Sequence, residues 1–454
     1  MLRLYDTATQ QVRELELRDP GKVSIYVCGP TVYGPPHLGH GRSTLVYDIL
    51  RRYLEWQGFE VRFVSNVTDI DDQILNRATR EGRDWTDIVT RCEAVWWQAM
   101  DRIGFARPSD TPHATEYVEQ MVAVIDELVG RGVAYSTDDG VYFSVEQVEG
   151  YGLLAHQSID EMRAGGGERE LVGAPGKRHP ADFVLWKLAK PGEPSWPSPW
   201  GDGRPGWHTE CVAMALDLLG EGFDLHGGGE DLRFPHHENE RAQAVALGRR
   251  FANHWIHHAF IVDTTGEKMS KSLGNVENLL DVTEQWDPRA YRVLLLQAHY
   301  RSPVRVGPET LDNAVRALAR LDSFARRAEV LPDAEPDPAV LAAFAARMED
   351  DLDTPGATAV LFDTVTRANT AIDAGRADEA APLAAAVWTM CHAVGLELRA
   401  ADDDVPQDVA AQIVALEAAR AARDFATADT IRAALQSGGW VVQTTKEGTK
   451  VHRA

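Results

Sequence analysis

Two short strings carry most of the chemistry this sequence could perform. His37-Leu38-Gly39-His40 stands where a turn-rich stretch, Thr31 to Pro36, gives way to a helical pattern. A helix start presents free N–H groups and the positive end of its dipole to phosphate, and Gly39 lets a nucleotide approach the backbone. Imidazoles at His37 and His40 can donate to phosphate oxygens as charge develops at phosphorus. The second string is Lys268-Met269-Ser270-Lys271-Ser272, followed by Leu273-Gly274-Asn275. Its two lysines lie on a Gly- and Ser-flanked loop and can neutralise a leaving pyrophosphate. Taken singly, each string also reads as a polar helix cap or an exposed basic loop.

A third set is metal-like. Cys28 closes a short apolar run, Cys211 lies in Trp207-His208-Thr209-Glu210-Cys211, and His236 and Glu240 lie in Phe234-Pro235-His236-His237-Glu238-Asn239-Glu240. On a helix opened by Pro235, His236 and Glu240 are four residues apart and project from one face. Two thiolates, an imidazole and a carboxylate suit Zn²⁺. On spacing alone, core cysteines and a surface His–Glu contact explain the same residues better, because Cys28 and Cys211 are far apart in sequence.

These residues need elements to hold them. Val23 to Val27 reads as a buried strand ending at Cys28-Gly29-Pro30. A helix from about His37 carries Leu45, Tyr47, Ile49, Leu50, Tyr53 and Leu54, Gly58 stops it, and Glu60 to Ser65 reads as the next strand. That is a βαβ unit of a parallel, doubly wound sheet, whose ligand crevice lies at the carboxyl ends of its strands. Helical patterns run from Trp85 to Gly132, and Ala134 to Val145 reads as a hairpin turning at Asp138-Asp139-Gly140. Residues 163–206, rich in Gly, Pro and Trp, read as an irregular insertion. Strand character returns at Gly222 to His226 and at His257 to Val262. From Pro308 the pattern is helical to about Ala400, and Ala401 to Pro406 reads as a linker. Two helices (409–424 and 427–437) and two short strands (440–444 and 449–452) follow.

The 454 residues exceed one core and predict several domains. No apolar run approaches the ~20 residues of a spanning helix, and the first twenty residues resemble no targeting segment. A cytoplasmic protein is expected. Four cysteines without a Cys-x-x-Cys pair form no disulfide framework, and Cys92 and Cys391 fall in helical patterns as core residues. A net charge of −23 disfavours sequence-independent grip on nucleic acid. The tail from Ala410 runs the other way, with Arg420, Arg423, Arg432, Lys446, Lys450 and Arg453 against Glu417, Asp424, Asp429 and Glu447.

In that order, the histidine and lysine strings resemble the nucleotide-binding pair of class I aminoacyl-tRNA synthetases, and the whole chain resembles the cysteinyl-tRNA synthetases. The resemblance is carried by Cys28-Gly29-Pro30-Thr31-Val32-Tyr33, Asn66-Val67-Thr68-Asp69-Ile70-Asp71-Asp72, Asp182-Phe183-Val184-Leu185-Trp186-Lys187 and Gly203 through Cys211. Gly227-Gly228-Gly229 through Glu240 and the lysine loop complete it. It spans residues 23 to 303, and Ala419 to Asp429 resembles the family's anticodon-binding end.

What the resemblance implies is specific. Cys28, Cys211, His236 and Glu240 match the family's zinc ligands, and Thr68 and Trp207 match residues lining its cysteine pocket. His37, Gly39, His40, His208 and Gly227 to Gly229 belong to the adenylate site, and Lys268 and Lys271 to its mobile loop. The implied fold is a Rossmann-like catalytic domain split into residues 1–104 and 201–307 by an acceptor-end insertion, 105–200. A helical bundle (308–400) and a small α+β anticodon-binding domain (401–454) follow. The implied reaction joins L-cysteine to tRNA(Cys) through cysteinyl-adenylate, using Mg²⁺ with ATP and one Zn²⁺ per chain, in a monomer. Cysteine differs from serine by one atom, and an apolar pocket separates near-isosteres by only ~10–200-fold. A soft ion that prefers thiolate reads the difference directly. Four protein ligands usually close a zinc site, so the substrate sulfur must add as a fifth ligand or displace Glu240.

Two positions depart from the family pattern. Gln73 stands where a lysine is usual, and Val451 where tryptophan is frequent, so the sequence predicts weaker base stacking in the tail. Two rivals are weaker. A ligase joining cysteine to an amino-sugar would have no use for residues 308–454, and a non-catalytic RNA-binding paralogue would have none for His37, His40, Lys268 and Lys271.

Overall fold

The computed structural model describes residues 2–159, 161, 176–263, 266, 277–399, 407–445 and 448–453. A hairpin of β1 (Arg3–Asp6) and β2 (Gln11–Glu14) opens the chain. Then come β3 (Lys22–Val27), α1 (Leu38–Trp56) and β4 (Glu60–Ser65), with β3 and β4 parallel and in register. Val23 to Val27 are all buried, as a parallel strand covered on both faces requires. Helix α1 turns Leu45, Tyr47, Leu50, Tyr53 and Leu54 into the same core. The predicted βαβ unit is therefore present.

Helices α2 (Asp72–Glu81), α3 (Trp85–Arg102) and α4 (Val118–Gly130) follow, and the helical run read across 85–132 is broken between α3 and α4. The hairpin β5 (Ala134–Thr137) and β6 (Gly140–Phe143) does not stand alone. Strands β7 (Phe183–Leu188) and β8 (Gly203–Pro205) extend it into a four-stranded antiparallel sheet in chain order. The irregular insertion expected over 163–206 thus contains two strands. Short strands between Gly- and Pro-rich turns hide their alternation, although Leu185 and Trp186 are fully buried. Residues 162–175 lie outside the described residues.

Helix α5 (Trp207–Leu219), β9 (Leu225–Gly229), α6 (Glu238–Ala246) and β10 (His254–His258) return the chain to the first sheet. Its order is β10-β9-β3-β4, all parallel. Strand β3 therefore has its successor β4 on one side and the much later β9 on the other. Cys28, the residue after β3, stands at this switch point, where ligands bind in open parallel sheets.

Strands β11 (Ile261–Val262) and β12 (Val304–Arg305) pair in parallel, with α7 (Leu279–Gln285) and α8 (Pro288–Leu296) between them. Helices α9 (Pro308–Ala328), α10 (Pro338–Met348), α11 (Thr354–Asp373) and α12 (Ala377–Ala393) form the expected bundle, and Cys391 is buried in it. Cys92 is likewise buried, in α3.

The last element group is α13 (Gln407–Ala421), α14 (Phe425–Ser437) and the antiparallel pair β13 (Trp440–Thr445) and β14 (Gly448–Arg453). It packs on its own core of Val409, Leu416, Ala428, Leu435, Trp440 and Val451. Val451 is 1% exposed. The side chain at this position fills the core, so valine here is explained by packing. The linker read at 401–406 lies outside the described residues.

Candidate active site

The predicted ligands converge. Cys28 Sγ lies 3.7 Å from Cys211 Sγ and 3.4 Å from Glu240 Oε1. His236 Nε2 lies 3.6 Å from Cys211 Sγ and 3.0 Å from Glu240 Oε1. Zinc–sulfur bonds of about 2.3 Å at tetrahedral angles separate two sulfurs by about 3.8 Å, so the four donors already stand near coordination spacing. Cys28 comes from the end of β3 and Cys211 from the second turn of α5. His236 and Glu240 straddle the junction of α6 with the π-helical turn Arg233–His237, where Phe234 is extended. The helix expected to open at Pro235 thus starts later, yet the two side chains still share a face.

The charges in this cluster bear on one another. Burial disfavours a charged His236, but the facing Glu240 and Cys211 push its pKa up to about 10. Burial opposes ionisation of Glu240, which His226 and His236 nonetheless hold well below the usual carboxylate range. Cys28, Cys211, His236 and Glu240 are compatible with zinc, and a divalent ion would replace the proton that His236 otherwise draws in. A second grouping, Cys28, His226, His237 and Glu240, is equally compact, but it contains only one thiol.

A further layer orients the donors. His226 Nε2 takes Glu240 Oε2 at 2.7 Å and leaves Oε1 toward the thiols. His237 Nδ1 bonds His257 Nε2 at 2.8 Å, and His257 Nδ1 bonds the Thr7 hydroxyl at 2.7 Å. His208 Nδ1 lies 2.8 Å from His236 Nδ1, while Trp207 lies flat on the His236 ring. Partners of this kind fix a ligand's tautomer and orientation. His226, His237 and His257 were not singled out from the sequence; the paired His236-His237 and His257-His258 at strand and helix ends were the available signal.

The loops after β3 and β4 run side by side. Thr68 N donates to Pro30 O at 2.9 Å and Val32 N to Thr68 O at 3.2 Å. Gly29 permits this, since a Cβ there would meet the Asn66 carbonyl at 1.6 Å. Asn66 Oδ1 accepts from Gly29 N at 2.9 Å and stands 3.8 Å from Cys211 Sγ. Thr68, beside it, donates to the buried Glu210 at 2.8 Å. Burial, with Cys211 alongside, pushes the Glu210 carboxyl well above its ordinary value.

At the start of α1, His37 and His40 cap the helix together. His37 N donates to His40 Nδ1 at 3.1 Å, and His40 N to His37 Nδ1 at 3.4 Å. The rings stack with centroids 3.7 Å apart. Both Nδ1 atoms accept, which assigns the remaining ring proton to Nε2 in each neutral imidazole. A Cβ at Gly39 would lie 2.9 Å from the His37 ring, so the stacked pair requires glycine there.

The glycines of β9 are packed from beneath. A Cβ on Gly227 would meet the Tyr47 ring at 2.3 Å, and one on Gly228 the His237 ring at 2.7 Å. The Tyr47 hydroxyl lies 2.8 Å from Gly228 O and 2.9 Å from Ile256 O and accepts from Gly228 N at 2.5 Å.

Lys268 and Lys271 lie outside the described residues. The chain re-emerges from that stretch against the histidine cap: Leu38 N donates to Glu277 O at 3.2 Å, and Leu279 N to Pro36 O at 3.0 Å. Glu277 and Leu279, which follow the lysine string in sequence, therefore meet the histidine string at the start of α1.

The chain is similar to known proteins. The family model for the class I (C) tRNA synthetase catalytic domain matches residues 14–316, and that for the DALR domain matches residues 343–399. A cysteine–tRNA ligase of Streptomyces avermitilis is 43% identical over 465 residues, covering 99% of this chain and 98% of the relative. One from Halorhodospira halophila is 43% identical, with 100% of both chains covered. Among solved structures, Mycobacterium tuberculosis methionyl-tRNA synthetase with methionyl-adenylate aligns with a TM-score of 0.56 at 15% identity, over 82% of this chain and 89% of that one. The Agrobacterium radiobacter LeuRS–tRNA–LeuAMS complex gives 0.60 at 12%, over 84% of each. At such identities the likeness is one of fold. No helix among the described residues is long and apolar enough to cross a membrane. From the domain match and the full-length relatives together, the chain belongs to the cysteine–tRNA ligases, a family of class I aminoacyl-tRNA synthetases.

Proposed function

We propose that the chain joins L-cysteine to tRNA(Cys) through cysteinyl-adenylate, with one zinc ion at Cys28, Cys211, His236 and Glu240 selecting the thiol. The observation that carries this reading is the convergence of those donors at the switch point of the parallel sheet. When bound, zinc supplies a soft Lewis acid that prefers a thiol to an alcohol and lowers its pKa. The protein's own residues do the rest. Trp207 and Thr68 border the metal cluster and shape the amino-acid pocket. Attack of the cysteine carboxylate on the α-phosphorus of Mg²⁺-bound ATP, with the α–β bridging bond breaking to release pyrophosphate, places negative charge on the phosphate oxygens. The Nε2–H groups of His37 and His40, the start of α1 and the lysines Lys268 and Lys271 meet that charge. Gly227 to Gly229 line the adenylate site with backbone, and His208 orients His236 from behind. The terminal adenosine hydroxyl of tRNA then attacks the adenylate carbonyl, the mixed-anhydride bond breaks and AMP leaves.

The bundle and the separate 407–453 unit serve the RNA. Removing residues 402–454 should leave cysteine-dependent pyrophosphate exchange largely intact and strongly reduce transfer to tRNA. Equal transfer by truncated and full-length protein contradicts the reading, provided the truncated protein's thermal melt shows it folded.

A further inference from the structure

We propose that Glu210 holds the α-ammonium group of the substrate amino acid, an assignment that rests on the thiol-binding reading above. Glu210 stands in α5 one residue before Cys211 and is 1% exposed. Its Oε2 accepts from Thr68 Oγ1 at 2.8 Å, and it makes no ion pair among the described residues. A carboxylate sealed from water with a single neutral donor lacks the partner that buried charges require.

The other carboxylates nearby are engaged. Asp69 accepts from the backbone and hydroxyl of Thr115 at 2.9 and 2.5 Å. Asp71 caps α2 by accepting from Gln73 N at 2.8 Å. Asp72 pairs with Lys187 at 2.7 Å and with Arg204. Glu240 is shared by His226 and His236. Among the described residues of this group, Glu210 alone has neither a cation nor a backbone N–H.

Placement agrees with this role. Contacts run from Cys211 Sγ to Asn66 Oδ1 at 3.8 Å, from Asn66 Nδ2 to Thr68 Oγ1 at 3.4 Å, and from Thr68 to Glu210. The side chains of Asn66 and Thr68 thus link the carboxyl to the thiol cluster, and Glu210 adjoins the ligand Cys211 in the chain. In cysteine, the sulfur and the α-nitrogen are three bonds apart, at most about 4 Å, so a sulfur docked at the cluster carries the ammonium to its edge. Charge agrees too. The ammonium is the only positive charge the substrate brings, and among the described residues Glu210 is the carboxyl of this group that no cation meets. An ammonium brought there supplies the cation that the buried Glu210 lacks, forms a charge-assisted hydrogen bond with it and orients the Cα substituents for attack on ATP.

The test is calorimetric binding of L-cysteine and of 3-mercaptopropionate, which keeps thiol and carboxylate but lacks the ammonium. Zinc-loaded full-length protein and its Glu210→Gln variant are compared, with zinc content measured for each. The wild type should bind cysteine at least about tenfold more tightly than the analogue. Glu210→Gln still accepts from Thr68 and should bring the ratio close to one through loss of cysteine affinity, with unchanged zinc. A variant that keeps the wild-type ratio overturns the assignment of the ammonium alone. A wild-type ratio near one overturns it as well, without recourse to any variant. Failure of the zinc-loaded wild type to bind either thiol overturns the thiol-binding reading and this assignment with it.

Discussion

Trp207 lies parallel to the imidazole of His236, ring centroids 3.8 Å apart and planes 20° from coincidence. The same ring is held at Nδ1 by His208, 2.8 Å away. His236 therefore presents Nε2 to the thiols and Glu240 with little freedom to turn. Trp207 and His208 are consecutive residues at the start of α5, so one helix terminus sets both the stacking and the ring nitrogen's contact.

Removing the stack should loosen the ligand. Trp207→Ala is expected to weaken zinc retention about tenfold in competition with a chromophoric chelator, because mutating an outer-shell partner typically costs that much. Unchanged retention would show that the indole serves only the amino-acid pocket.

How much of this was legible in the sequence depends on distance along the chain. The strand ending at Cys28 and the helix starting at His37 show in local patterning. The i, i+4 relation of His236 and Glu240 survives even though the helix begins at Glu238. Asn66, Glu210 and His226 do not stand out, because their roles arise only when β9 inserts beside β3 and brings α5 against the loop after β4. Burial was harder to read still. Val451 looks like a surface departure in sequence and is a core residue in the fold, since a two-stranded pair covered by helices turns alternate positions inward.

The lysine stretch should act in the chemical step. Lys271→Ala is expected to slow cysteine-dependent pyrophosphate exchange by about a hundredfold or more while leaving cysteine affinity near wild type, as for a group that meets charge only in the transition state. An unchanged exchange rate with weakened cysteine binding would remove Lys271 from this role.

The loop after α3 carries a pH-sensitive contact. His113 Nε2 lies 3.0 Å from Glu93 Oε1, and that hydrogen bond raises the His113 pKa while it lowers that of Glu93. The imidazolium contribution is complete below the unfolded value of about 6.5 and is lost as pH rises through the raised folded value. The carboxylate contribution is present above about 4.3 and is lost as pH falls through the lowered one. In urea titrations, the stability difference between wild type and His113→Gln should therefore be largest between those two values and shrink toward pH 8. A difference that does not change with pH would contradict the ion pair.

Metal content tests the central claim most directly. The donor set and its spacing are compatible with zinc, so protein purified without chelators should carry about one zinc per chain by elemental analysis. Less than about a tenth of an equivalent in folded, cysteine-binding protein would contradict the account, because the four donors would then select the thiol without the metal assigned to them.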